Sequence, residues 1–140
     1  LPEVIELARG HLADLPAGSV ELIAADLFTE LTCGIKKESV DAALVSHMLH
    51  DYSKETGIGL LRSVNGAIRP GGFVVVNDFA SDVGPGAFGA LFNLMMRVET
   101  GGVAHDLAAL TEMLLSSGFS DVRRAPFPAP LTVLIARKDT

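Results

Sequence analysis

Several residue types are scarce in this chain, and each scarcity excludes something. There is one cysteine, Cys33, so no disulfide can form within the chain and a disulfide scaffold is excluded. A reducing, cytoplasmic setting is the expectation. No apolar run approaches the roughly eighteen residues that a spanning helix needs, so no membrane partner is expected. The first residues, Leu1-Pro-Glu-Val-Ile-Glu6, lack the basic-then-apolar order of a signal peptide. Positive charge is also short: 11 Lys and Arg stand against 17 Asp and Glu, a net charge of -6. The basic residues occur as pairs, Lys36-Lys37 and Arg123-Arg124, and never as tracts. Nucleic acid is therefore not expected as the main partner, because phosphate binding needs Lys and Arg in excess.

What is present is ordinary globular material. The chain has 140 residues, of which 49% are hydrophobic and 20% charged. That length suits one domain burying roughly two thirds of its unfolded surface, and the composition excludes intrinsic disorder. No repeat or linker divides it.

Periodicity yields an order of elements. Ile5, Ala8 and Leu12 predict a helix over about residues 2–13. Val20 to Ala25 reads as a short strand ending at Asp26, and Val40 to Val45 as a buried strand running toward His47 and His50. Ser53 is an N-cap candidate for a helix whose apolar face is Ile58, Leu61, Val64 and Ile68. Arg69-Pro-Gly-Gly72 stops that helix in a turn. Phe73 to Asn77 is the strongest strand and is followed by Asp78. Ala87 to Val98 predicts a helix rich in Phe, Leu and Met. A further helix around Leu107, Leu110 and Leu114 closes at Gly118. The tail holds two strand-like pieces separated by Pro126, Pro128 and Pro130. This alternation predicts an α/β fold, a mostly parallel sheet with helices on both faces and an antiparallel C-terminal hairpin.

In open α/β sheets, ligands bind beyond the carboxyl ends of the strands. Three predicted strands end in groups of chemical interest: Asp26, the His50-Asp51 pair and Asp78. Parallel pairing would gather all three on one rim. Asp also ends strands simply because it opens turns, and at this point both readings stand. His50 precedes a predicted helix, whose dipole would lower its pKa and leave a neutral imidazole able to accept a hydroxyl proton. Asp78 could hold the other ring nitrogen. A metal site on His47 and His50 is weaker, since no carboxylate or thiol at matching spacing completes a ligand set. His11 and His105 read as surface residues. Gly84-Pro-Gly-Ala-Phe-Gly89 matches a dinucleotide-loop pattern, but Phe79 to Val83 separate it from the strand, and a flexible connection is the better account. The face around Leu91, Leu94, Met95 and Met96 is either core packing or an adaptable wall for a flat apolar substrate.

With these residues in order, the chain resembles the C-terminal catalytic part of class I S-adenosylmethionine-dependent O-methyltransferases, of the plant caffeic-acid and bacterial hydroxyindole type. Ala25-Asp-Leu-Phe28 is similar to the family's Gly-Asp-x-Phe site. Leu49-His-Asp-Tyr-Ser53 is similar to its Leu-His-Asp-Trp motif. Arg69-Pro-Gly-Gly72, the Val-rich strand, Thr100-Gly-Gly102 and Leu114-Leu-Ser-Ser-Gly-Phe119 also match. The resemblance implies an incomplete Rossmann-like methyltransferase sheet and S-adenosylmethionine as cofactor. It implies a small, aromatic acceptor, with His50 as base and Asp78 orienting it. Asp26, Leu27, Phe28, Ser46 and Tyr52 would contact the cofactor. Met95, Met96 and Glu99 would border the acceptor. No metal is implied.

The chain also departs from the family pattern. The Gly-rich cofactor loop and the helical dimerisation domain belong before Leu1, so a partial catalytic domain spanning 1–140 is expected, from a longer protein that would be a homodimer. On its own it should bind cofactor poorly. The strand after Val20 should lack its neighbours, and the strand after Val40 should expose an unpaired edge. The family's second carboxylate, usual just after the Gly-Gly pair, is replaced here by Ala104, with Glu99 or Asp106 as substitutes, and Tyr52 replaces a Trp. The alternative reading is a degenerate binding subunit that keeps the fold without methyl transfer. A third, a nucleotide-dependent oxidoreductase, would use Gly84 to Gly89.

Overall fold

The computed structural model describes residues 2–25 and 35–140. Its elements are α1 (Pro2–His11), β1 (Val40–Ser46), a single 3-10 turn (Leu49–Asp51), α2 (Lys54–Ala67), β2 (Ile68–Phe79), α3 (Phe88–Glu99), α4 (Leu107–Ser116), β3 (Phe119–Ala125) and β4 (Leu131–Lys138). The four strands form one sheet in the order β1-β2-β4-β3.

Local chemistry explains the element ends. Ser53 caps α2, its hydroxyl accepting from the Thr56 amide, and Asp106 caps α4 by accepting from the Ala109 amide at 2.7 Å. Gly118 follows α4 in the left-handed region, with φ of 86°, as the helix stop requires. Alternation along β2 then sorts its side chains. Val74, Val76 and Asp78 are buried on the face covered by α2 and α4, where Leu61, Leu110, Met113, Leu114, Leu134 and Ala136 close the core. The opposite face carries exposed Leu44, Phe73 and Ile135.

β1 and β2 run parallel, with Ser46 level with Asn77, while β2–β4 and β3–β4 are antiparallel. The α/β class and the antiparallel C-terminal hairpin are as the sequence predicts. The sheet is mixed, with one parallel pair among the described strands. One parallel pairing is missing because Val20 to Ala25 is not a strand here: the segment is irregular and Val20 and Ile23 are exposed. A strand exists only where neighbouring backbone takes up its N–H and C=O groups. β1 accordingly forms one edge of the sheet. The turn read at Arg69 to Gly72 lies inside the start of β2, as a bulge beside Val40 to Ala42. Gly71 has φ of 78°, and a Cβ on Gly72 would lie 2.5 Å from the Asp41 carbonyl oxygen.

Candidate active site

Parallel pairing of β1 and β2 brings their carboxyl ends together. The chain leaves β1 at Ser46 and makes the 3-10 turn at Leu49–Asp51, while β2 ends at Phe79. His50 therefore meets Asp78 across the strand ends. Its Nδ1–H donates to Asp78 Oδ1 in a buried contact. The same carboxylate accepts from the Leu49 amide at 2.9 Å through Oδ2 and from the Phe79 amide at 2.8 Å through Oδ1. Three donors thus hold Asp78, which is 1% exposed, in one orientation. His50 is 8% exposed. With Nδ1 engaged, Nε2 is the nitrogen left to exchange a proton, and Asp51 Oδ1 lies 3.7 Å from it.

The electrostatics differ from the sequence expectation. His50 has its pKa raised above the usual 6.5, first by the hydrogen bond to Asp78, against desolvation, with further help from the charges of Asp78 and Asp51. The dipole argument fails because His50 sits within a separate short turn before α2 and directly against a carboxylate, whose field dominates at contact distance.

Aromatic rings wall His50. The Phe92 ring lies edge-on to His50 at 5.1 Å, and Phe79 packs against Phe92 at 4.8 Å and against His47 at 5.0 Å. Met96 and Ala104 join this cluster. From behind, the loop before α4 holds the backbone of His50. The Val103 amide donates to the His50 carbonyl at 2.9 Å. A Cβ on Gly102 would lie 2.2 Å from that carbonyl oxygen. His105 contacts the Tyr52 carbonyl through Nε2 at 3.1 Å. His105 is 6% exposed, so its reading as a surface residue is corrected. Periodicity shows neither this burial nor the hold on His50, because Gly101-Gly102 looks like a mere helix breaker. The spacing of Phe88 and Phe92 is the signal that marks the aromatic wall.

The other predicted site residues divide. Ser46 stands at the end of β1, its hydroxyl accepting from Asn77 Nδ2 at 3.1 Å. Tyr52, two residues after His50, is half-buried. Met96 is buried under Phe92, whereas Met95 and Glu99 are exposed on α3. Asp26, Leu27 and Phe28 lie outside the described residues. Asp106 is engaged as the cap of α4, and neither it nor Glu99 pairs with His50. Ala104 places no carboxylate there, so Asp51 is the second acid near the ring. Gly89 has a packing explanation: a Cβ on it would fall 1.7 Å from the Ser81 carbonyl oxygen. Among the described residues no group of His, Cys, Asp and Glu could hold a metal ion, and no helix is long and apolar enough to cross a membrane.

Residues 1–120 match the model of the O-methyltransferase domain. The chain belongs to that family. The 3-hydroxy-5-methyl-1-naphthoate 3-O-methyltransferase of Streptomyces sahachiroi is 33% identical over 135 residues, covering 93% of this chain and 37% of that protein. Acetylserotonin O-methyltransferase of Mus musculus is 28% identical over 141 residues, covering 91% of this chain and 35% of the relative. Among solved structures, PigF with SAH superposes with a TM-score of 0.81 at 26% identity, over 99% of this chain and 41% of that one. The chain spans about two fifths of the length of such relatives.

Proposed function

We propose that this O-methyltransferase-family chain carries the proton-accepting part of a site that transfers a methyl group from S-adenosylmethionine to a hydroxyl of a small aromatic molecule. One observation carries the reading: a buried His50–Asp78 pair lies at the carboxyl ends of adjacent parallel strands, with Nε2 of His50 left uncommitted to Asp78.

The contacts support each role. Asp78 fixes the Nδ1–H tautomer and stabilises the imidazolium formed when Nε2 takes the phenolic proton. The O–H electron pair stays on the acceptor oxygen, which becomes the nucleophile. Phe79, Phe92 and Met96 provide an apolar surface that keeps water from the ring and suits a flat acceptor. The hold of Gly102 and Val103 on the His50 backbone limits drift of the base, which matters where geometry supplies much of the rate.

The residues present also fit the cofactor. Ser46 and Tyr52 border the strand ends, and Asn77 Oδ1 is buried there without a hydrogen-bond partner, ready for a ligand N–H. S-adenosylmethionine, when bound, supplies an electrophilic methyl group. Relatives named as O-methyltransferases, and a neighbour solved with SAH, support the assignment.

A second reading rests on Ala104, which leaves the site without the carboxylate that the family resemblance places there: the fold would bind ligands without methyl transfer. Isothermal calorimetry with S-adenosylhomocysteine, paired with a labelled-methyl assay on simple phenols, separates the two. Methylated product that disappears in His50→Ala supports transfer. Binding without product supports the second reading.

A further inference from the structure

The turn that carries His50 is weakly held by its own bonds. The Asp51 amide reaches the Met48 carbonyl at 3.2 Å and the Tyr52 amide reaches the Leu49 carbonyl at 3.3 Å, both long, as 3-10 geometry tends to make them. Shorter bonds come from outside the turn. The Val103 amide donates to the His50 carbonyl at 2.9 Å, and the His105 ring meets the Tyr52 carbonyl through Nε2 at 3.1 Å. Donors two residues apart in the segment before α4 thus hold carbonyls two residues apart in the turn. A carbonyl oxygen only accepts, so Nε2 of His105 carries the proton.

His105 also reaches the other half of the His50–Asp78 pair. Its own carbonyl accepts from the Ser81 amide at 2.9 Å, three residues beyond Asp78. The segment around it is fixed on both sides: the Ala104 amide donates to Asn93 Oδ1 at 3.1 Å, and the Leu107 amide donates to Asp82 Oδ1 at 2.9 Å. His105 is therefore a rigid link, side chain to the turn and main chain to the end of β2. Any residue at position 103 supplies an amide, whereas the contact with Tyr52 depends on the side chain at position 105.

We propose that His105 is a positioning residue of the site: its buried Nε2–H, donating to the Tyr52 carbonyl, sets the turn so that the His50 ring lies against Asp78. The inference rests on the methyl-transfer reading for the work His50 does, but the positioning itself is read without turnover.

The test is ring-nitrogen NMR of the 140-residue chain, followed through a pH titration. In the parent, His105 should show the Nε2–H tautomer with a slowly exchanging ring proton, and His50 should titrate above 6.5. His105→Leu keeps an apolar side chain of similar bulk and removes the donor. The His50 midpoint should then fall toward 6.5 by at least about half a pH unit, a part of the roughly 1–3 that an opposite charge in contact supplies. His105→Gln, whose side-chain amide carries an N–H near the place of Nε2, should restore most of that change. The groups facing His50, namely Asp78, Asp51 and His47, are the same in each variant. Unchanged amide spectra of β2 and β4 show that a variant folds; should His105→Leu not fold, His105→Asn, too short to reach the Tyr52 carbonyl, takes its place with the same expectation. An Nδ1–H tautomer of His105 in the parent, an unmoved His50 midpoint without the donor, or equal midpoints with and without it overturns the proposal. The expected midpoints with no methylated product in the presence of S-adenosylmethionine would instead count against the methyl-transfer reading alone.

Discussion

At the scale of single residues, His50 and Asp78 behave as one unit. In its proposed role His50 must be neutral to accept a proton, and the carboxylate beside it keeps the ring protonated to higher pH than free histidine. The acid limb of kcat/KM should therefore lie above pH 6.5. Asp78→Asn should move that limb downward and slow turnover at least about tenfold, since the tautomer is no longer held. His50→Ala should cost at least about a hundredfold, the scale of acid–base groups; turnover equal to the parent would remove His50 from the mechanism. The shift also has a stability consequence of defined sign. A folded-state pKa raised above 6.5 means that the charged pair stabilises the fold below that pH. The contribution is lost as pH rises through the folded-state value. Thermal melts from pH 5.5 to 8.5 should show this decline in the parent chain and a flatter profile in His50→Gln.

At the scale of elements, His50 is located by pieces far apart in sequence. β1 brings the chain to the turn at Leu49–Asp51, β2 supplies Asp78, and the loop from Thr100 to Asp106 backs the turn. Gly102 is the tightest of these contacts. Gly102→Ala forces a methyl against the His50 carbonyl and should destabilise by about 1–3 kcal/mol, as overpacking does. It should also lower kcat more than it raises KM, because the displaced atoms carry His50, the proposed base; steady-state kinetics beside urea melts would read both. Leu61, fully buried where α2 meets the sheet, tests the core separately. Leu61→Ala should cost about 2–5 kcal/mol in urea unfolding with little change in the kinetic pH profile. Most of these elements are legible locally. Ser53 and Asp106 as caps, Gly118 as a helix stop and Phe73 to Asn77 as a strand all depend on near neighbours, so sequence reveals them. Val20 to Ala25 has an equally good pattern, yet it forms no ladder, because pairing is not a local property.

At the scale of the whole molecule, the sheet is covered on one face and, among the described residues, open on the other. α2 and α4 close the core over Val74 and Val76, while Leu44, Phe73 and Ile135 stay exposed opposite. An open apolar face of this kind binds hydrophobic dyes. Leu44→Lys should reduce dye fluorescence while changing stability by no more than about 0.5 kcal/mol, as exposed positions do; unchanged fluorescence would show that the face is not what the dye reads.

The linear sequence determined which residues could do chemistry here. His50, Asp78 and Tyr52 stand in motifs recognisable by order and spacing, and the helices announce themselves by period and cap. Tertiary structure alone decided how those residues are used. It turned the expected fall in the pKa of His50 into a rise, buried His105 against the Tyr52 carbonyl, set His47 beside His50 and left Glu99 and Asp106 unpaired with it. The physical reason is range. Caps and periodicity act over a few residues of chain, whereas hydrogen bonds and charges act over a few ångströms of space, and only the paired strands convert one distance into the other.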